Sequence, residues 1–311
     1  MWLIFGGVFL GWSLGTNDAA NVFGTAVASR IVRFRTAAIL AALFVLIGAL
    51  SQGQKGIEQV GGLSNQTALS AVVVSVAAAL TVTVMTALRL PVSTSQAVVG
   101  AIIGMGFVGD PQALKWGQIF KMVACWVGTP IGAAVLAFAL YPLLSWGLRS
   151  LRLGLVARAM ALKLGLIVAG CYGAYALGAN NVANVVGVYY DAGLVENALV
   201  LALIGGGAIA LGVLTYSKNV MMTVGRSLVE LDAFSALVAV LAMAVTVHVY
   251  AHLGVPVSTS QAIVGGVLGI GLFKGLRTIN RRTVINILFA WLNTPLVAGV
   301  ICWAGARMFI R

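Results

Sequence analysis

Charge is what this chain has least of. Only 8% of its 311 residues are Asp, Glu, Lys or Arg, whereas a soluble domain carries about 25%. That stock cannot cover a water-facing surface, which excludes a soluble globular protein. Acids are scarcer than bases, 7 against 19. The bases lie in short gaps between apolar segments and build no polar face, which argues against nucleic acid as a partner and fits the basic bias of cytoplasmic membrane loops. Cysteine is almost absent: Cys125, Cys171 and Cys302 sit in apolar stretches without paired spacing, so they frame neither a disulfide nor a metal site. The two histidines, His248 and His252, come near the end of one apolar stretch and read as interfacial or packed side chains, not proton relays. A basic n-region and a cleavage signal are also missing at the N-terminus, so the first apolar stretch reads as a transmembrane helix and not a signal peptide.

What is present is apolar residue, 61% of the chain with a mean hydropathy of +1.05, the composition of an integral membrane protein embedded in a lipid bilayer. Apolar spans are expected at Trp2 to about Arg30, Thr36–Ser51, Thr67–Leu88, Ala97–Val108 and Trp116–Trp146, with a polar loop around Lys55 and Glu58. Gly7, Gly11 and Gly15 recur every fourth residue, a spacing that lets another helix come close. A basic linker with Arg149, Arg152, Arg158 and Lys163 follows, expected to be a cytoplasmic, interfacial amphipathic helix. The spans then recur as Leu164–Tyr190, Ala198–Thr215, Ala233–His252, a short stretch and Val284–Met308, with a polar gap around Lys218 and Arg226.

Three landmarks repeat in the same order. Pro91-Val92-Ser93-Thr94-Ser95-Gln96-Ala97 returns unchanged as Pro256-Val257-Ser258-Thr259-Ser260-Gln261-Ala262, 165 residues on. Gly15-Thr16-Asn17-Asp18-Ala19-Ala20-Asn21 is answered by Gly178-Ala179-Asn180-Asn181-Val182-Ala183-Asn184 at an offset of 163, and Trp126-Val127-Gly128-Thr129-Pro130 by Trp291-Leu292-Asn293-Thr294-Pro295 at 165. An internal duplication follows, with residues 1–148 as the first repeat, 149–163 as the linker and 164–311 as the second repeat. Gap charges swap between the halves. Arg30, Arg33 and Arg35 face Asp191 and Glu196 at the equivalent place, whereas Asp110 and Lys115 face Lys274, Arg277, Arg281 and Arg282. The loop with Lys55 and Glu58 against that with Lys218, Arg226, Glu230 and Asp232 adds little. The swap is what two oppositely oriented repeats require. The expected fold is therefore all-α, with two inverted-topology repeats of about five membrane segments each. Both termini would lie outside and the linker inside.

The chemistry concentrates in two of the repeated stretches. Asp18 is the one carboxylate inside an apolar span, where an acid is costly and marks function by default. Asn17, Asp18 and Asn21 are read as interrupting the first span, so that side-chain oxygens and unwound carbonyls offer hard ligands to Na⁺, or a carboxylate to H⁺. Pro followed by Ser and Thr is helix-start chemistry, with hydroxyls and bare amides available to an anion. Discontinuous helices would thus meet at a midplane site. Donors would bind an oxyanion and acceptors a cation, each making the other's binding more favourable. An anion channel would need a basic ring at membrane depth, which the sequence lacks. An intramembrane enzyme would need a nucleophile–base pair, and Asp18 stands alone; no catalytic residues are assigned.

Paired Gly-x-Asn-Asp-x-x-Asn-like and Pro-Val-Ser-Thr stretches, joined by Thr223-Val224-Gly225, resemble the inorganic phosphate transporter (PiT) family across nearly the whole chain. The resemblance implies an inverted-repeat secondary transporter of the plasma membrane, a homodimer that couples phosphate uptake to Na⁺ or H⁺, with no other cofactor. Carried over by position, Ser93, Thr94, Ser95, Gln96, Ser258, Thr259, Ser260, Gln261, Asn17 and Asn180 would contact the substrate. Asp18, Asn21, Asn181 and Asn184 would hold the cation, with Thr129 and Thr294 as second choices. Two positions depart from the family's pattern. Asn181 stands where Asp is usual, and Gln96 and Gln261 where His is usual. Sulfate has no proton to donate and prefers donors and neutral amides, so both departures keep a sulfate permease as the alternative to phosphate.

Overall fold

The computed structural model describes residues 2–88, 92–227, 231–275 and 281–310, and the side chains at 2, 223–227 and 281–284 lie outside that description. Of the sequence features named above, Pro91, Glu230 and Arg277 lie outside the described residues, as do the side chains of Thr223, Val224, Arg226, Arg281 and Arg282. Among the described residues the regular secondary structure is helical: α1 (Phe5–Ala28), α2 (Phe34–Gln52), α3 (Gln54–Gly61), α4 (Ala68–Ala87), α5 (Thr94–Gly106), α6 (Trp116–Ser150), α7 (Leu155–Asp191), α8 (Ala198–Ser227), α9 (Ala233–His252), α10 (Thr259–Lys274) and α11 (Arg281–Phe309). Seven of these helices are long and apolar enough to cross a membrane.

Local chemistry sets the starts. Thr67 caps α4 in a reciprocal box with Ser70, the two amides and two hydroxyls pairing at 3.2 and 2.8 Å, which satisfies donors that the first turn leaves bare. Ser93 and Ser258 cap α5 and α10 on the amides of Gln96 and Gln261. α5 and α10 have 13 and 16 residues. At 1.5 Å per residue they reach about 20 and 24 Å, less than the roughly 30 Å of a hydrocarbon core. Their N-termini are buried, so each begins inside the protein.

The halves interlock. α1 packs on α8 and α7 on α2, while α5 packs on α11 and α10 on α6. Each contact is sealed where a glycine lets backbone meet backbone. A Cβ at Gly15 would overlap the Ile209 carbonyl, and one at Gly178 the Val45 carbonyl; Gly100 and Gly265 stand in the same way against Pro295 and Pro130. Gly7 and Gly11 admit Tyr189 and Ala208, as the four-residue spacing predicts.

Four expectations are corrected. The Asn-rich stretches do not interrupt their helices, since α1 and α7 run unbroken through 15–21 and 178–184. The asparagines bond to other helices and leave their own backbone ladder intact. Lys55 and Glu58 lie in the short helix α3, not a loop. Residues 155–163 are the opening turns of α7 and form no separate linker helix, and α8 continues through Lys218 to Ser227. Leu, Ala, Met, Lys and Arg favour helix, and neither continuation holds an internal proline.

Candidate functional site

Asp18 and Asn21 are three residues apart on α1 and share a face, as Asn181 and Asn184 do on α7. The two faces meet. Asn181 Nδ2 donates to Asp18 Oδ2 at 3.0 Å. Within each helix the later asparagine reaches back to the earlier residue, Asn21 to Asp18 Oδ1 at 3.5 Å and Asn184 to Asn181 Oδ1 at 3.4 Å. Across the halves, Asn21 Nδ2 donates to Ser260 Oγ at 3.0 Å and Asn184 Nδ2 to Ser95 Oγ at 2.9 Å. The duplication seen in sequence is therefore also a duplication of contacts.

The starts of α5 and α10 close the cluster. Thr259 Oγ1 donates to Asp18 Oδ2 at 2.8 Å and sits 3.5 Å from Asn21 Nδ2. Val257 lies in the extended segment before α10, where its N–H and C=O lack helical partners. Asn180 supplies both, accepting from the Val257 amide at 3.2 Å and donating to its carbonyl at 2.7 Å, and Ser95 Oγ donates to the same carbonyl at 3.1 Å. Asn180 also donates to Asn181 Oδ1 at 2.7 Å. Beyond these contacts, the first-turn amides of Thr94, Ser95, Thr259 and Ser260 have no acceptor within their own helices.

The sequence-derived residues thus separate into two groups. Asp18, Asn21, Asn180, Asn181, Asn184, Ser95, Thr259 and Ser260 form one hydrogen-bonded cluster, with Ser93 and Ser258 capping the helices beside it. Asn17 instead donates to Thr86 Oγ1 on α4 at 2.8 Å. Thr129 and Thr294 donate to carbonyls of their own helices, Cys125 at 2.6 Å and Ala290 at 2.7 Å, and Thr294 also reaches Met85 Sδ. No described hydrogen bond links these two threonines to Asp18, because a Thr hydroxyl in mid-helix finds the carbonyl four residues back first. The backbone of Val257 and the hydroxyl of Thr86 are absent from the sequence-derived set. Val257 lay inside the repeated motif but offered no polar side chain to single it out. His248 is held between Tyr172 OH at 2.7 Å and Gln52 Oε1 at 2.8 Å, joining α9 to α7 and α2.

Electrostatically the cluster is one ionisable group in a neutral setting. Asp18 is 3% exposed, and it is the only carboxylate among the described residues to be fully buried. Only neutral donors meet it; the one described ion pair, Lys274–Asp232, lies elsewhere. On α7 and in the first turns of α5 and α10, Asn184 Oδ1, Thr94 Oγ1, Gln96 Oε1 and Gln261 Oε1 are buried without a hydrogen-bond partner. A carboxylate with spare carbonyl and hydroxyl oxygens is the donor set of a hard cation. These residues fit Na⁺. Bare amides at two helix starts fit an oxyanion.

Comparison with known proteins bears on the family and the fold. The phosphate transporter family matches residues 14–302. A protein of Methanocaldococcus jannaschii named as a phosphate permease is 31% identical over 300 residues, covering 96% of this chain and 94% of its own. One of Pyrococcus furiosus with the same designation is 29% identical, covering 95% and 92%. A solved structure titled "The sodium-dependent phosphate transporter" superposes with a TM-score of 0.87 at 22% identity, over 99% of both chains, which shows a shared fold.

Proposed function

Since the chain belongs to the phosphate transporter family, we propose that it is a secondary transporter that carries inorganic phosphate across the plasma membrane in symport with Na⁺, by alternating access. One observation carries the coupling: Thr259 donates its hydroxyl to Asp18 while its backbone opens the first turn of α10. Cation and anion determinants thus share a residue. Asp18, with the oxygens of Asn181, Asn184 and Thr259, would hold the cation; the first turns of α5 and α10, with Ser95, Ser260, Gln96 and Gln261, would hold the anion. The solved structure of this fold bears a sodium-dependent title, which favours Na⁺ over H⁺.

The coupling has a physical basis. An anion brought within about 5 Å of an uncompensated carboxylate is repelled by about 3 kcal/mol per charge at an effective dielectric of 20, over a hundredfold in affinity. A cation on Asp18 removes that repulsion, and the linkage works equally in reverse. Residues 1–148 and 164–311 would be inverted repeats that rock about the shared cluster, with both termini outside and a homodimer as the assembly. The reciprocal packing of the halves supports this arrangement. The sulfate alternative draws on Gln96 and Gln261, which bring neutral amides where an ionisable acceptor would favour protonated phosphate.

Uptake of labelled phosphate and sulfate into proteoliposomes, with and without an inward sodium gradient, tests the reading. Phosphate should accumulate only with the gradient. Accumulation of sulfate alone would transfer the assignment to sulfate, and no accumulation of either would end it.

A further inference from the structure

Two contacts of the cluster are repeated closely in its two halves, and a third is made in one half only. Asn21–Ser260 mirrors Asn184–Ser95, at 3.0 and 2.9 Å. The back-bond of Asn21 to Asp18 mirrors that of Asn184 to Asn181, at 3.5 and 3.4 Å. By the same correspondence, Asp18–Thr259 should be mirrored by residue 181 with Thr94. The first pair is made at 2.8 Å. Thr94 Oγ1, in a residue only 3% exposed, has no hydrogen-bond partner at all.

The cause is the residue at 181. A carboxylate there would present two acceptor oxygens, one of them for the threonine of the opposite half, as Asp18 accepts from Thr259. The carboxamide of Asn181 has one oxygen, and Asn180 and Asn184 both donate to it. Its nitrogen is turned to Asp18, where it fills part of an acceptor and carries no charge. A buried hydroxyl without a partner is a standing cost to the fold, and it marks where an acceptor is missing.

We propose that this chain binds one sodium ion per protomer, at Asp18, and that Thr94 with position 181 is a second cation half-site silenced by a single carboxylate-to-carboxamide difference. It rests on the reading of Asp18 as the cation residue, and it makes Asn181 the residue that sets the cation count. A carboxylate at 181 would take the Thr94 hydroxyl as Asp18 takes that of Thr259, and would return the second negative charge that a second Na⁺ needs.

The test is equilibrium binding of radiolabelled sodium to the purified, detergent-solubilised protein, a measurement independent of transport. Wild type should saturate at one ion per chain, Asp18→Asn should bind none, and Asn181→Asp should bind two. The exchanged double variant, Asp18→Asn with Asn181→Asp, should bind one again. Adding Thr94→Val to Asn181→Asp should weaken the second ion at least tenfold and leave the first unchanged. Wild type saturating at two, or binding none, overturns the proposal without any variant having to fold. Monodisperse Asn181→Asp that still binds one overturns it too. Should these counts hold while proteoliposomes take up no phosphate, the substrate reading falls and the cation count stands.

Discussion

Asp18 meets three neutral donors and no described cationic side chain, so at the residue scale ionising it is a burden on the fold and an asset to binding. Asp18→Asn should therefore melt at the same temperature as wild type or higher, while sodium-driven phosphate uptake is lost; a large fall in melting temperature would assign Asp18 to the scaffold. Asn180 has the opposite balance. Asn180→Ala leaves the Val257 amide unpaired and should cost about 1–3 kcal/mol, read as a lower melting temperature with weakened anion binding. The polar character of these residues inside an apolar span made them visible in the sequence. The partner each would choose was not visible. Asn17 and Asn180 occupy equivalent positions, yet one serves Thr86 and the other the backbone of Val257, a difference that depends on where α4 and the start of α10 lie in space. Thr129 and Thr294 looked like ligands because their motif repeats, whereas their hydroxyls are spent on the preceding turn.

Among elements, glycine placement decides which helices touch. Gly15→Ala and Gly178→Ala drive a methyl into a facing carbonyl, and each should destabilise the protein by about 1–3 kcal/mol, with the largest effect in the double variant; unchanged melting of both would show that these contacts give way. Close approach was legible from glycine spacing, but the identity of the neighbour was not. α1 finds α8, in the other half. The continuity of α1 and α7 was also hidden, since Asn is a poor helix former by propensity and only the cross-helix bonds show why it is tolerated. At the start of α9, Asp232 caps Ser235 N at 2.9 Å and pairs with Lys274. Partial burial pushes its pKa up, but the bonds from Lys274 and Ser235 outweigh this and hold it below the ordinary carboxylate value. A depressed folded pKa stabilises above the unfolded value of about 3.9 and is lost as pH falls through the folded one. Asp232→Asn should then cost about 1 kcal/mol or less near neutral pH, and nothing in strong acid, as followed by melting against pH.

On the scale of the whole molecule, three motifs repeat along the sequence, and the packing of α1 on α8 is answered by that of α7 on α2, as α5 on α11 is by α10 on α6. The interlocking of halves left no mark in a linear chain, because nothing in the order of segments says that a helix will pair outside its own repeat. If the repeats are inverted, cysteines added at either terminus should both react with a membrane-impermeant thiol reagent from outside the cell, and one added at the 151–154 turn should not. Labelling of the two termini from opposite sides would refute an odd number of crossings per half.

The exchange of partners also fixes what half of this protein can be. Cut at the turn between α6 and α7, the chain gives two pieces, each with a first helix whose tightest glycine contacts, at Gly15 and Gly178, are to a helix on the other piece. Each piece alone would leave its tightest seams, α1 against α8 and α7 against α2, unmade, so neither should persist alone in a cell, and both should be recovered when made together. If the repeats are inverted, a half-length forebear would have had to insert both ways up and assemble with itself.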